Sequence, residues 1–177
     1  MLQAIGAALP GDAVVVEELL SSAPGIRQLL KSNDARSFYG MRGGGIGWGL
    51  AAAVGIQLAL PRRSVVALIG DGSSLYTMQV LWTAAHERIP VTFVIFNNRS
   101  YRILKQRTLN LQRHTAQSGR FVAMDLVEPA LDFVGLAQSL GVSAQRGDDL
   151  DGVRAALAAP LASGVPNLIE VAIDNTV

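Results

Sequence analysis

The chain lacks cysteine and has few charged or aromatic side chains. Of its 177 residues, 16% are charged and 6% are aromatic, whereas 50% are hydrophobic. The absence of cysteine excludes a disulfide framework, a thiolate nucleophile and a metal site with thiolate ligands. Fifteen basic and 14 acidic residues leave a net charge of +1, which is too small for a dedicated nucleic-acid binder. The hydrophobic fraction excludes wholesale disorder and predicts one domain with a sizeable core.

Long hydrophobic runs are also missing. The most apolar stretch, residues 46–60, is shorter than the roughly 18 residues of a membrane-spanning helix. The first residues, Met-Leu-Gln-Ala-Ile, show neither the basic cluster nor the cleavage pattern of a signal peptide. These absences predict a cytoplasmic protein that does not cross a membrane.

Four short apolar runs are predicted strands. Three are nearly continuous in β-branched or aromatic residues, which is typical of parallel strands covered on both faces; they are Ala13–Val16, Val65–Ile69 and Val91–Phe96. The fourth run, Leu168–Ile173, alternates more between apolar and polar residues. We therefore expect it nearer an edge of the sheet.

Helical patterns alternate with these strands. They cover Ile46–Leu60, Leu75–Arg88, Leu131–Leu140 and Asp148–Leu161. This alternation predicts an α/β fold with a doubly wound, mostly parallel sheet and helices on both faces. Residues 1–177 are expected to form a single domain.

One segment of the chain is strongly basic. No acidic residue occurs between Glu87 and Asp125, although this interval carries many arginines. The simpler interpretation is a solvated loop with a short helix, and the alternative is a segment whose Arg99 end lies near an anionic ligand. Residues 105–120 have no nearby acids to pair with and no sustained apolar period, so we expect them to be poorly ordered.

Two glycine-containing motifs are candidates for ligand binding. The cluster from Gly43 to Gly49 resembles a dinucleotide fingerprint, but no frame of it reads G-x-G-x-x-G. The second motif, Gly70-Asp71-Gly72-Ser73, directly follows a predicted buried strand. An acid at the carboxyl end of such a strand lies where open α/β sheets bind ligands. The second motif is therefore the stronger candidate.

A pair of asparagines follows the next strand along the chain. Asn98 comes 27 positions after Asp71 (98 − 71), so one strand–helix–strand crossover brings both to the same edge of the sheet. Carboxylate and amide oxygens are ligands that Mg²⁺ prefers. A single carboxylate neutralises only part of the charge of the ion, and the remaining positive charge is available to a phosphate-bearing ligand. A magnesium-dependent phosphatase is disfavoured because it would usually gather several carboxylates. The ligand-free alternative is an Asp71 helix cap and an asparagine turn.

These residues carry a family resemblance. Gly70-Asp71-Gly72, a helix, a strand and Asn97-Asn98 resemble the thiamine diphosphate motif of enzymes that act next to a 2-oxo group. Further segments resemble the diphosphate-binding domain of benzoylformate decarboxylase and of acetohydroxyacid synthase-like proteins; they are Gly44-Gly45-Ile46-Gly47, Leu81-Trp82-Thr83-Ala84-Ala85, Leu131-Asp132-Phe133 and Leu140-Gly141-Val142. The similarity extends from Ala13 to about Ile173.

The resemblance implies a magnesium site and a diphosphate site. Asp71 and Asn98 would ligate Mg²⁺ through their side chains, and Ser100 would do so through its backbone carbonyl. The diphosphate would be bound by the loop that contains Gly70, Gly72 and Ser73, with Tyr101 packing nearby.

The rest of the cofactor site is implied in the same way. The Gly44 carbonyl would accept a hydrogen bond from the aminopyrimidine, and Ile46 would wedge under the cofactor and bend it. Leu19 and Leu20 stand where the decarboxylases have hydroxyl side chains, which leaves Ser21 and Ser22 as candidate diphosphate contacts, of which we assign Ser21.

The implied activity is that of a thiamine diphosphate- and magnesium-dependent lyase acting on a small 2-oxoacid. An acetohydroxyacid synthase-like carboligase and a non-catalytic cofactor-binding subunit that acts with a partner chain are the alternatives. The glutamate that activates the cofactor in this family lies in a pyrimidine-binding domain, which is absent from this chain. We therefore assign no catalytic residue here, and Glu17 and Glu18 are poor candidates for that acid. The chain alone is expected to be inactive and to associate with the missing domain or as a homo-oligomer.

Overall fold

The computed structural model describes residues 1–30, 32–112, 114–147 and 149–176, without the side chain of residue 160. Its six-stranded sheet has the order β2-β1-β3-β4-β6-β5, and every neighbouring pair is parallel. The strands are β1 (Val14–Glu18), β2 (Phe38–Gly40), β3 (Val65–Gly70), β4 (Val91–Asn97), β5 (Ser143–Gly147) and β6 (Asn167–Ala172).

Helices connect the strands along the described parts of the chain. They are α1 (Leu2–Ala8), α2 (Ile26–Leu29), α3 (Gly49–Ala59), α4 (Asp71–Ser74), α5 (Val80–His86), α6 (Arg102–Asn110), α7 (His114–Ser118), α8 (Phe133–Ser139) and α9 (Leu150–Ser163). A short 3₁₀ turn covers Leu20–Ser22 just after β1.

Both faces of the sheet are covered by helices. On one face, α3, α5 and α8 pack on alternate strand residues such as Val14, Val16 and Ile69. On the other face, α1, α2 and α9 pack on the intervening residues, such as Val15 and Leu68. Since strand side chains point alternately to opposite faces, continuous apolar strands are needed to fill both layers. The predicted doubly wound α/β fold is confirmed.

The structure corrects several predicted boundaries. The helix predicted from Ile46 begins at Gly49. The helix predicted from Leu75 begins at Val80, after residues 75–79 form turns. The run Leu168–Ile173, which was expected nearer an edge, forms β6, which is next to the edge strand β5 and ends at Ala172. The predicted start of the last helix, Asp148, lies outside the described residues.

The basic segment is the largest difference. Residues 102–110 and 114–118 form helices instead of the poorly ordered stretch that we expected from residues 105–120. Lys105 is buried and forms an ion pair with Asp125. The sequence hides this pairing because the acid lies just beyond the basic interval and meets the lysine only when the chain folds back.

Strand order determines where a crevice opens. The chain passes from β1 to the edge strand β2 and then returns to place β3 on the other side of β1. In open parallel sheets, ligands bind at such a reversal, beyond the carboxyl ends of the strands. None of the described helices is long and apolar enough to cross a membrane.

Candidate active site

A cleft of about 530 Å³ opens beyond the carboxyl ends of β1, β3 and β4. All ten residues that the sequence analysis assigned to cofactor or metal binding line it; they are Ser21, Gly44, Ile46, Gly70, Asp71, Gly72, Ser73, Asn98, Ser100 and Tyr101. The strand reversal therefore brings together residues that are separated by up to 80 positions (101 − 21) in the chain.

Asp71 is the buried acid of the cleft. Its Oδ1 accepts a hydrogen bond from the Gly72 N–H at 2.8 Å, and its Oδ2 accepts one from the Ser100 N–H at 3.2 Å. Burial raises the pKa of this carboxyl, and the backbone hydrogen bonds oppose the increase only in part. A cation bound beside Asp71 would stabilise its ionised form.

The two asparagines at the end of β4 have different environments. Asn98 lines the cleft, and its Oδ1 accepts a hydrogen bond from the Ser100 N–H at 2.9 Å. Asn97 instead donates from Nδ2 to the Glu170 carboxylate at 2.7 Å. Between Asn98 and Ser100, Arg99 has a left-handed backbone with φ of +57°. The structure thus places the Asn98 amide, and not that of Asn97, beside Asp71.

The loop after β3 offers polar groups to the cleft. The Ser73 hydroxyl is buried and makes no hydrogen bond of normal geometry, although it lies near enough to the Glu18 carboxylate to lower the pKa of that acid. Gly72 lies against the Tyr101 ring, so that a β-carbon at this position would clash with the ring. An unpaired buried hydroxyl at a cleft wall is available to a polar ligand.

The glycine loop, residues 43–49, forms another wall of the cleft. Gly44 and Ile46 line it, and Gly44 has a φ of +77°. Ile46 is half-buried. Apolar Ile46 and the polar groups around Asp71 therefore border the same space.

Arg102 is a site residue that the sequence analysis did not assign. It lines the cleft, and its guanidinium donates from Nε to the Ser21 hydroxyl at 3.2 Å and from Nη2 to the Ser22 hydroxyl at 3.1 Å. These bonds join the first residue of α6 to the turn after β1. Its position in the sequence could have indicated this role. Arg102 comes shortly after Asn98 and Ser100, at the Arg99 end of the basic segment, which we considered for an anionic ligand.

The cleft chemistry fits a diphosphate and a magnesium ion. Asp71 and the Asn98 amide supply hard oxygen ligands, which Mg²⁺ prefers, with open positions left for phosphate oxygens. The free Ser73 hydroxyl and the Arg102 guanidinium are donors suited to phosphate. Among the described residues, no cluster of three or more histidine, aspartate or glutamate side chains could hold a metal by itself. Oxygen atoms of a bound phosphate group would therefore complete the coordination of a metal ion at this site.

Comparison with known proteins agrees with this chemistry. Residues 22–171 match the family described as thiamine pyrophosphate enzyme, C-terminal TPP binding domain. Benzoylformate decarboxylase from Pseudomonas aeruginosa is 38% identical over 167 residues, which cover 94% of this chain and 30% of that protein. The acetolactate synthase large subunit from Parasynechococcus marenigrum is 34% identical over 164 residues, covering 92% of this chain and 26% of that protein.

Solved structures give the same result. The thiamine diphosphate-dependent 4-hydroxybenzoylformate decarboxylase from Rhodococcus jostii superposes with a TM-score of 0.90 at 36% identity, covering 98% of this chain and 32% of that one. This chain thus spans about a third of the length of the relatives that it matches. It belongs to the family of C-terminal, thiamine pyrophosphate-binding domains of thiamine pyrophosphate enzymes.

Proposed function

We propose that this domain binds the diphosphate of thiamine diphosphate through Mg²⁺ in a 2-oxoacid decarboxylase that resembles benzoylformate decarboxylase. The observation that carries the proposal is the buried Asp71 carboxylate beside the Asn98 amide in an open cleft. We assign Asp71, Asn98 and the Ser100 carbonyl to the metal. The similarity to aryl 2-oxoacid decarboxylases over nearly the whole chain supports the decarboxylase assignment.

The remaining lining residues are assigned to the cofactor. Gly70, Gly72 and Ser73 would contact the diphosphate through backbone N–H groups and the Ser73 hydroxyl, with Ser21 and Tyr101 at its sides. Gly44 and Ile46 would contact the organic part, where the apolar Ile46 side chain excludes water and restricts cofactor shape.

The bound cofactor would supply a thiazolium ring that accepts the electron pair released on decarboxylation. This chain would contribute binding, orientation and charge neutralisation. We assign the proton relay of the aminopyrimidine to a pyrimidine-binding domain outside this chain, so residues 1–177 alone would lack turnover. A homo-oligomer and a 2-oxoacid as substrate belong to the same proposal.

A carboligase is the second candidate, and the similarity to acetolactate synthase large subunits favours it. Product analysis of the complete enzyme distinguishes the two. With Mg²⁺ and thiamine diphosphate, the decarboxylase assignment predicts release of benzaldehyde from benzoylformate. Formation of acetolactate from pyruvate as the faster reaction would favour the carboligase instead. Absence of magnesium-dependent cofactor binding, measured by calorimetry, would contradict both.

A further inference from the structure

Glu18 is a buried acid that the proposed function does not use. It is the last residue of β1, its side chain lies on the α3 face of the sheet, and only 1% of the residue is exposed. Its Oε2 accepts a hydrogen bond from the Gly49 N–H at 2.6 Å, and its Oε1 accepts one from the Gly47 N–H. Burial raises the pKa of this carboxyl, and the hydrogen bonds from Gly47 and Gly49, together with the nearby Ser73 hydroxyl, oppose the increase. Both carboxylate oxygens are therefore bound to the glycine loop.

The glycine loop needs an anchor from outside its own sequence. Gly43, Gly44 and Gly47 all have positive φ, with values of 76°, 77° and 98°, and glycine has the greatest conformational freedom of any residue. Besides the bond from Gly47 to Glu18, the Gly47 carbonyl accepts a hydrogen bond from the Thr77 hydroxyl at 2.9 Å. The loop is thus held at Gly47 through both its N–H and its carbonyl.

Close packing makes this anchor specific. A β-carbon on Gly49 would lie 2.7 Å from Glu18 Oε2, and a β-carbon on Gly47 would clash with the Tyr76 side chain. Glycine at position 49 therefore permits the close approach to the carboxylate, and glycine at position 47 permits the close contact with Tyr76. One residue before Gly47, the side chain of Ile46 enters the cleft.

We propose that Glu18 is a positioning residue that fixes the glycine loop and thereby the orientation of Ile46 toward the cofactor. This inference rests on the proposed function, because it assigns Ile46 to cofactor contact. Glu18 touches neither cofactor nor substrate in this role. Its carboxylate acts through the Gly47 and Gly49 amides.

The test compares variants of the complete enzyme with and without cofactor. In the cofactor-free protein, amide hydrogen exchange of residues 43–49 should be about tenfold faster in Glu18→Gln, because glutamine keeps only one of the two acceptors. Thr77→Val, which removes the hydroxyl at similar volume, should also speed exchange in this loop. Glu17→Gln is the matched control, since Glu17 accepts from the Leu19 N–H and makes no bond to the loop. It should leave exchange in the loop unchanged.

Kinetics provide the second readout. Glu18→Gln should lower kcat about tenfold, because the glycine loop loses its order, while the cofactor Kd changes less than about threefold, because the proposed metal ligands are unchanged. Combining it with Ile46→Ala should add little to the loss from Ile46→Ala alone, since residues that act through one another are not additive. Additive losses, or unchanged exchange of the loop in both Glu18→Gln and Thr77→Val, would overturn the proposal.

The two proposals fail in different ways. If the unmodified enzyme shows no magnesium-dependent binding of thiamine diphosphate, the proposed function is wrong, whereas the exchange experiment still reports on the anchor. If Glu18→Gln does not fold, loop exchange in Thr77→Val decides the question.

Discussion

Two loops border the cleft, and different kinds of contact hold them. The metal loop, residues 98–100, contains no glycine, and its Ser100 N–H donates to Asn98 Oδ1 within the loop and to Asp71 Oδ2 outside it. The glycine loop, residues 43–49, contains five glycines and is held by Glu18 and Thr77, which come from other parts of the chain. The loop without glycine thus carries part of its restraint in its own side chain, whereas the glycine loop, which has few side chains, is restrained from other segments.

The two buried acids differ in their access to the cleft. Both oxygens of each acid accept hydrogen bonds from backbone amides, but Asp71 lines the cleft, whereas Glu18 is not among its lining residues. Burial raises the pKa of each carboxyl. The comparison indicates that burial and amide hydrogen bonds do not distinguish a proposed metal ligand from a structural acid, and that access to the cleft does.

The largest effect is expected from replacing Asp71, the buried acid that lines the cleft. Asp71→Ala should weaken magnesium-dependent binding of thiamine diphosphate about 100-fold or more. The reason is that the magnesium ion would lose the only charged ligand that we assign to it. Asn98→Ala should cost about tenfold, since water can replace a neutral ligand. Calorimetric titration of the complete enzyme measures both. Equal affinity in Asp71→Ala and the unmodified enzyme would end the metal assignment.

A large effect on turnover is expected from the glycine loop. Ile46→Ala should lower kcat about 30-fold, because a mispositioned cofactor loses reactive geometry, while the cofactor Kd changes little. Ile46→Leu should be mild, because its volume is conserved. Steady-state kinetics and calorimetry on the same variants separate the two quantities. Equal losses in kcat and affinity would mean that Ile46 only packs.

A smaller effect on magnesium affinity is expected from replacing Glu170, which contacts the residue just before the metal loop. Glu170 accepts hydrogen bonds from Asn97 at 2.7 Å and from Arg146 at 3.0 Å, and Asn97 Oδ1 accepts one from the Arg99 N–H at 3.0 Å. Glu170→Gln should therefore weaken magnesium affinity about tenfold by loosening the loop that presents Asn98.

A matched control for this variant is Asp132→Asn. Asp132 also accepts a bond from Arg146, but it is exposed and has no contact with the metal loop. Titration with Mg²⁺ at fixed thiamine diphosphate should show the loss in Glu170→Gln alone. A similar loss in both variants would show that Arg146, rather than Asn97, transmits the effect.

The smallest effect is a pH dependence of stability in the cofactor-free protein. The pKa of Glu18 is raised by burial from its ordinary value of 4.5. Its contribution to stability is therefore complete below pH 4.5 and is lost as the pH rises through its folded pKa. Glu18→Gln does not titrate, so its free energy of unfolding should fall less as the pH rises. Urea unfolding at several pH values checks this, and parallel pH profiles for the two proteins would contradict it.

Much of the fold and of the candidate site could be predicted because the signals are local. Continuous runs such as Val91–Phe96 can only be strands buried on both faces, and parallel strands bring their carboxyl ends to one edge. The edge strand β5 escaped prediction because its sequence, Ser-Ala-Gln-Arg-Gly, has no apolar run and relies on pairing with β6. Similarly, the ion pair between Lys105 and Asp125 could not be predicted, because these two residues meet only after folding.

The sequence by itself determined the fold class and the chemistry of the cleft. Gly70-Asp71-Gly72 and the asparagine pair each follow a strand that is recognisable from its own residues, so their meeting required no tertiary information. The tertiary structure alone decided that Asn98 and not Asn97 faces Asp71, and that Glu18 binds the glycine loop. These outcomes depend on side-chain directions and on ångström-scale distances between segments about 30 to 70 residues apart. A linear pattern identifies which groups are present, and only packing determines which of them touch.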